Sequence, residues 1–134
     1  MATSKVTYLG DLCTSSIHLS SGSEIISDAP IDNNGKGEAF SPTDTVANAL
    51  ASCMFTVMGI KAQDLNIDFS YSTAEVTKIM GTEPRRITEI HVTFKMNVSV
   101  SDKEKTILEK TAMTCPVLNS LHPDIKKEVV FNWK

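Results

Sequence analysis

The feature that most constrains the fold of this chain is a long apolar stretch that follows a loop rich in proline and glycine. It reads SPTDTVANALASCMFTVMGIKAQD and begins at Ser41. Ser41 is placed to cap a helix, Pro42 suits the first helical position, and Asp44 falls at the capping-box position. Apolar residues then occur on almost every side as far as Ile60. We therefore predict a helix that runs to about Asp64 and is buried on most sides.

The same stretch is relevant to whether the chain crosses a membrane. Its apolar run, Val46 to Ile60, is interrupted by polar residues, whereas a helix that spans a bilayer needs about 20 consecutive apolar residues. The N-terminus, MATSKVTYLG, lacks the apolar segment of a secretory signal. We therefore expect a core helix, no membrane partner and a cytoplasmic protein.

Strand patterns lie on both sides of this helix. Residues 5–9 and 15–27 are predicted as strands, and the second segment turns back at its Ser-Gly pair to give two. Residues 66–79 alternate, and residues 87–98 alternate strictly between apolar and polar side chains. These two segments are predicted to pair as a long hairpin across the turn MGTEPRR.

The C-terminal part adds two helices and a strand. Ser101 and Glu104 form a second capping box, which predicts a helix that ends at about Met113. CPVLNSLHP predicts a short helix that Pro123 ends, and EVVFNW predicts a last strand. The predicted order is β-β-β-α-β-β-α-α-β, an α+β chain with a long buried central helix, and we expect one domain over residues 1–134.

The charge balance excludes one class of partner. The formal net charge is −3, which argues against nucleic acid as the main partner. The only two arginines, Arg85 and Arg86, are adjacent. Any bidentate recognition of an anion by side chains therefore falls on this pair.

The three cysteines are the candidate reactive groups. In a reducing compartment Cys13, Cys53 and Cys115 do not form a disulfide scaffold, and none has C-x-x-C spacing. Cys53 lies in the predicted buried helix, where a cysteine usually packs as a small hydrophobe. Cys115 precedes Pro116 and is a plausible N-cap, where backbone N–H groups favour a thiolate. Structural and catalytic roles both stay open at this point.

The three histidines predict no metal site. His18, His91 and His122 are scattered through the chain, and no two of them have the spacing of metal ligands. We expect no metal and no cofactor.

Three segments taken together resemble the OsmC/Ohr family of osmotically induced and organic-hydroperoxide-resistance proteins. They are FSPTDTVANALASCMFTVMGIKA, EPRRITEIHV and LEKTAMTCPVLNSL. The resemblance covers nearly the whole chain and depends on the paired cysteine motifs. It implies the OsmC-like fold, built as an intertwined homodimer with active sites at the subunit interface.

The resemblance also implies a thiol-dependent peroxidase that acts in defence against oxidative stress. Cys53 matches the family's peroxidatic cysteine, whose thiolate attacks an organic hydroperoxide, or hydrogen peroxide less well, and becomes a sulfenic acid. Cys115 matches the resolving cysteine, which condenses with it to a disulfide that an external dithiol reduces.

A thiolate in an apolar helix needs a cation or hydrogen-bond donors nearby, because burial alone raises its pKa. The family supplies an arginine held by an acidic residue. The N-terminal strands, where that arginine usually lies, contain none here, so Arg86 and Arg85 are the candidates, and Asp44 is the candidate acid. The alternatives are a solvated arginine pair in a turn and an aspartate that only caps its helix.

Two other functions stay open beside the peroxidase. A non-catalytic member of the fold would bind a small apolar ligand or sense the redox state. A structural dimer would use its cysteines only for packing.

Overall fold

The computed structural model describes the whole chain, Met1–Lys134, as two compact units, Met1–Thr45 and Val46–Lys134. The predicted α+β class and the predicted order of elements are confirmed, with one added 3₁₀ turn at Ile31–Asn33. The elements are β1 (Ser4–Gly10), β2 (Cys13–His18), β3 (Glu24–Asp28), α1 (Pro42–Asp64), β4 (Thr73–Gly81), β5 (Arg86–Met96), α2 (Asp102–Ala112), α3 (Pro116–Ser120) and β6 (Lys126–Trp133).

The first unit contains an antiparallel sheet in the order β1-β2-β3. Asp28, at the end of β3, is only 2% exposed, and its carboxylate accepts hydrogen bonds from Glu38 N at 3.1 Å and Cys13 Sγ at 3.4 Å. The Glu38 amide, ahead of the other donors, holds the pKa of Asp28 below its usual value. The buried carboxylate of Asp28 therefore connects the loop after β3 to the sheet through hydrogen bonds.

The second unit contains a sheet in the order β4-β5-β6. The central strand β5 pairs antiparallel with β4, which confirms the predicted hairpin, and parallel with β6. The alternation predicted for β5 is confirmed as well, because its inward side chains are at most 1% exposed. They are Ile90, Val92, Phe94 and Met96.

Helix α1 contributes one face to the core of the second unit. Its buried residues recur every three or four positions, with Leu50 and Ala51 adjacent, as expected for one face of a helix: Ala47, Leu50, Ala51, Met54, Met58 and Ala62. Val46 and Ile60 on other faces are 40% and 61% exposed. A smaller part of the α1 surface is therefore buried within the chain than we predicted. By length and composition α1 is long enough to cross a membrane, but core helices of soluble proteins pass the same test.

The prediction of a strand from residue 66 is wrong for its first part, because β4 begins only at Thr73. Asn66 and Tyr71 adopt left-handed backbone conformations with φ of 54° and 65°. Asp68 Oδ1 accepts a hydrogen bond from Ser70 N at 2.8 Å. Short polar side chains that bond to nearby backbone groups compete with strand pairing, so residues 66–72 form a loop.

Candidate active site

The two matched cysteines both belong to the second unit and to its core. Cys53, on α1, is partly buried and packs against the core cluster. Cys115 is fully buried within that cluster. The buried face of α1 and the joint between α2 and α3 therefore bring together two thiols that are far apart in the sequence.

Cys115 occupies a helix start, as the Cys-Pro pair predicts. It is the N-cap of α3, Pro116 lies in the first turn, and Cys115 Sγ accepts a hydrogen bond from Leu118 N at 3.3 Å. The preceding helix ends just before it, where Thr114 N donates to Thr111 O at 3.0 Å. The local sequence thus fixes the direction of the Cys115 side chain.

The thiol of Cys53 is a neighbour of the thiol of Cys115 and is one of the groups that shift the pKa of Cys115. Burial, the largest influence, raises the pKa of Cys115, and the neighbouring Cys53 thiol raises it further. The hydrogen bond from the Leu118 amide lowers the pKa of Cys115, but it offsets only part of this rise. The amides at the helix start favour the Cys115 thiolate, as predicted, but desolvation outweighs them and the net pKa of Cys115 is raised.

All three cysteines are free thiols in this structure. A disulfide requires its two Cβ atoms to lie about 3.5–4.5 Å apart. Cys53 and Cys115 are close enough for the thiol of one to shift the pKa of the other, so they are the candidate pair for a disulfide within the chain.

Arg85 is the last residue of the turn between β4 and β5, and Arg86 is the first residue of β5. Arg86 is exposed, and its Nη1 donates to Thr82 O at 3.0 Å and to Pro84 O at 2.9 Å. Arg85 is exposed as well. Neither arginine is among the groups that chiefly shift the pKa of Cys115. In this chain the Arg86 guanidinium stabilises its own hairpin turn.

Asp44 forms the predicted capping box with Ser41. Ser41 Oγ accepts the hydrogen bond of Asp44 N at 3.0 Å, and Asp44 Oδ2 accepts that of Ser41 N at 3.0 Å. The second predicted capping box, Ser101 with Glu104, is also present at the start of α2. The capping interpretation of Asp44 is thus confirmed, and a catalytic role of its carboxylate stays a prediction.

Sequence reasoning missed a cavity of about 500 Å³ in the second unit. Its walls combine aromatic side chains with the small residues of α1 and the polar loop that follows. Principal lining residues are Phe55, Gly59, Ile67, Phe69 and Tyr71. The loop at residues 66–72 forms part of the cavity wall. The alternating pattern predicted a strand there, so the cavity could not be predicted from the sequence.

Comparison with known proteins gives one family. A family model described as OsmC-like protein matches residues 35–130. A crystal structure from Psychrobacter arcticus 273-4, named provisionally as an osmotic stress induced and detoxification response protein, is 57% identical. The alignment covers 98% of this chain and 96% of that one, with a TM-score of 0.96. A search of curated proteins found no significant match.

More distant solved structures share the fold. An organic hydroperoxide resistance protein OsmC from Legionella pneumophila is 15% identical, with a TM-score of 0.72 over 98% of each chain. An organic hydroperoxide resistance protein from Elizabethkingia anophelis is 16% identical, with a TM-score of 0.72 over 100% of this chain and 98% of the other.

Proposed function

This chain belongs to the OsmC-like protein family, and on that premise we propose that it is a thiol-dependent peroxidase that reduces organic hydroperoxides. Family membership and the neighbours named for hydroperoxide resistance support a redox or peroxide-defence role. The observation that carries the finer proposal is that the Cys53 and Cys115 thiols are neighbours in the core of the second unit, near enough for Cys53 to raise the pKa of Cys115.

The proposed cycle begins at Cys53, the more accessible of the two thiols. Its thiolate attacks one peroxide oxygen, the O–O bond breaks, and the departing alkoxide takes a proton to leave as the alcohol. Cys53 is then a sulfenic acid. Hydrogen peroxide would react in the same way and release water.

Cys115 completes the cycle. Its sulfur attacks the sulfenic sulfur of Cys53, the S–O bond breaks, and water leaves as the disulfide forms. Two electrons from an external dithiol then restore both thiols. Burial of Cys115 supports this division of roles, because a buried sulfur is a poor first target for a dissolved hydroperoxide but is well placed to reach Cys53.

The activating cation and the assembly are further parts of the proposal. We assign activation of the Cys53 thiolate to the pair Arg85 and Arg86, with Asp44 as the orienting acid. A homodimer with active sites at its interface is the assembly in which we expect them to act. We also propose a cytoplasmic location, where a dithiol reductant would regenerate both thiols.

Turnover with an artificial dithiol tests the proposed function. Wild-type protein with dithiothreitol should consume cumene hydroperoxide, and Cys53→Ser should reduce turnover to the rate without protein. Cys13→Ser is the matched control, because Cys13 lies in the first unit and contacts Asp28 instead. Turnover that survives Cys53→Ser, or no turnover by wild type, would reject the peroxidase.

The cavity beside Phe55 and Phe69 favours a second candidate function, binding of a small apolar ligand. Its volume of about 500 Å³ lies in the usual range for ligand sites. A Cβ on Gly59 would meet only Phe69, at 3.9 Å, so Gly59→Leu should fill the cavity without displacing the backbone. Native mass spectrometry should then detect a ligand on wild type and none on Gly59→Leu. A ligand-free wild type would remove this candidate.

A further inference from the structure

The outward face of the second sheet carries a cluster of possible metal ligands that the peroxidase proposal does not use. Glu89 and His91 are two positions apart on β5, on either side of the buried Ile90, so both point away from the core. Glu128 on β6 is the partner of His91 in the parallel register. We call these three residues the Glu-His-Glu cluster. Sequence spacing among histidines could not show it, because two of its members are glutamates and one comes from another strand.

The distances within the Glu-His-Glu cluster resemble those of a tetrahedral metal site. His91 Nε2 lies 3.0 Å from Glu89 Oε1 and 3.5 Å from Glu128 Oε2, and all three donor atoms lie within 4.8 Å of one another. Ligands bound to zinc at about 2.1 Å in a tetrahedron are roughly 3.4 Å apart. Small side-chain rotations would therefore suffice to surround an ion.

The cluster already attracts a cation from within the chain. Lys126 Nζ lies 2.8 Å from Glu128 Oε1 and 4.0 Å from Glu89 Oε1. Lys126 first, and His91 after it, hold the pKa of Glu128 below its usual value. Lys126 is itself 63% exposed, so its flexible side chain can leave the carboxylates for solvent.

We propose that the Glu-His-Glu cluster is a binding site for a divalent transition-metal ion such as zinc, with Lys126 as its competitor. One imidazole and two carboxylates balance the charge of a divalent ion, and an imidazole favours zinc over magnesium or calcium. The side chains of His91, Glu89 and Glu128 are 33%, 31% and 45% exposed, so an ion can enter from solution and retain a water as its fourth ligand. The bound ion would join β5 to the edge strand β6.

Zinc binding to untagged, reduced, full-length protein tests this proposal. Equilibrium dialysis would compare wild type with His91→Gln, Lys126→Gln and His122→Gln. The cysteine thiols can also bind zinc, but they are the same in all four proteins and cancel in the comparison. His122 is the matched control, because it also lies near a carboxylate, 3.8 Å from Asp124 Oδ2, but outside the cluster.

We expect His91→Gln to weaken this zinc site by at least about tenfold and Lys126→Gln to strengthen it several-fold, while His122→Gln leaves it unchanged. Zinc should also raise the melting temperature of wild type more than that of His91→Gln, because an ion that joins two strands stabilises the folded state. Equal zinc stoichiometry and affinity in wild type and His91→Gln would overturn the proposal.

Discussion

The Cys53 thiol, on the central helix, is a neighbour of the Cys115 thiol and raises its pKa, and Cys115 caps a short helix in the same unit. One of these sulfurs is partly accessible and the other is fully buried. This asymmetry supports the different roles that we propose for the two cysteines. It also makes the second step of the proposed cycle sensitive to the ionisation of Cys115.

We expect disulfide formation to accelerate as the pH rises. Burial raises the pKa of Cys115, so its thiolate is scarcer at neutral pH than that of an ordinary cysteine. Below the pKa of Cys115 the thiolate fraction grows about tenfold per pH unit. Quenched-flow measurement of the Cys53–Cys115 disulfide, after one equivalent of cumene hydroperoxide, should show a rise toward this slope. A rate that stays constant between neutral and alkaline pH would contradict this prediction.

We expect the arginine pair to activate the Cys53 thiol. The double variant Arg85→Gln/Arg86→Gln removes both candidate cations, so iodoacetamide should alkylate Cys53 more slowly than in wild type at the same pH. Lys95→Gln is the control, since Lys95 is an exposed cation near the other end of β5. An unchanged alkylation profile in the double variant would mean that the pair serves only the turn, where Arg86 bonds to Thr82 O and Pro84 O.

Local patterns predicted most of the fold. Capping residues located the starts of α1 and α2, and strict alternation located β5, because both patterns follow from the geometry of a single element. The loop at residues 66–72 was missed because Asn66 and Tyr71 adopt left-handed conformations that apolar alternation does not reveal. Contacts between distant elements need the fold itself, and the Glu-His-Glu cluster is an example.

The candidate active site, like the fold, was predictable from the sequence only in part. The Cys-Pro pair predicted that Cys115 caps a helix, and the structure confirms this. Its raised pKa was not predictable from the pair, because the burial that raises it comes from packing against α1 and the rest of the core. The partner thiol was suggested by family resemblance, and no local pattern could place Cys53 beside it.

Two matched helix caps permit a test of the capping assignment. Ser41→Ala and Ser101→Ala each remove the hydroxyl that accepts an N–H three residues later, so each should lower the free energy of unfolding by about 1 kcal/mol. Urea unfolding of both variants would measure these losses. A change near zero for Ser41→Ala, beside the expected loss for Ser101→Ala, would show that the Ser41 hydroxyl does not stabilise the start of α1.

Exposed apolar side chains on the first sheet lead us to expect a dimer. Val6 and Ile25 are each 61% exposed and lie in one cross-strand row on either side of Ser16, and such surface often marks an interface. Light scattering should give twice the chain mass of 14.6 kDa. Val6→Asp/Ile25→Asp should shift the mass toward one chain, whereas Ile31→Asp, at another exposed apolar residue, should not. A wild-type monomer would contradict this expectation.

The most direct test of the proposed two-cysteine mechanism is the chemical state of Cys53 and Cys115 after one equivalent of cumene hydroperoxide. Peptide mass spectrometry of wild type should find a disulfide between Cys53 and Cys115, with Cys13 still a free thiol. In Cys115→Ser, dimedone should trap a sulfenic acid on Cys53. If the hydroperoxide leaves Cys53 as a thiol in both proteins, the proposed two-cysteine mechanism is wrong.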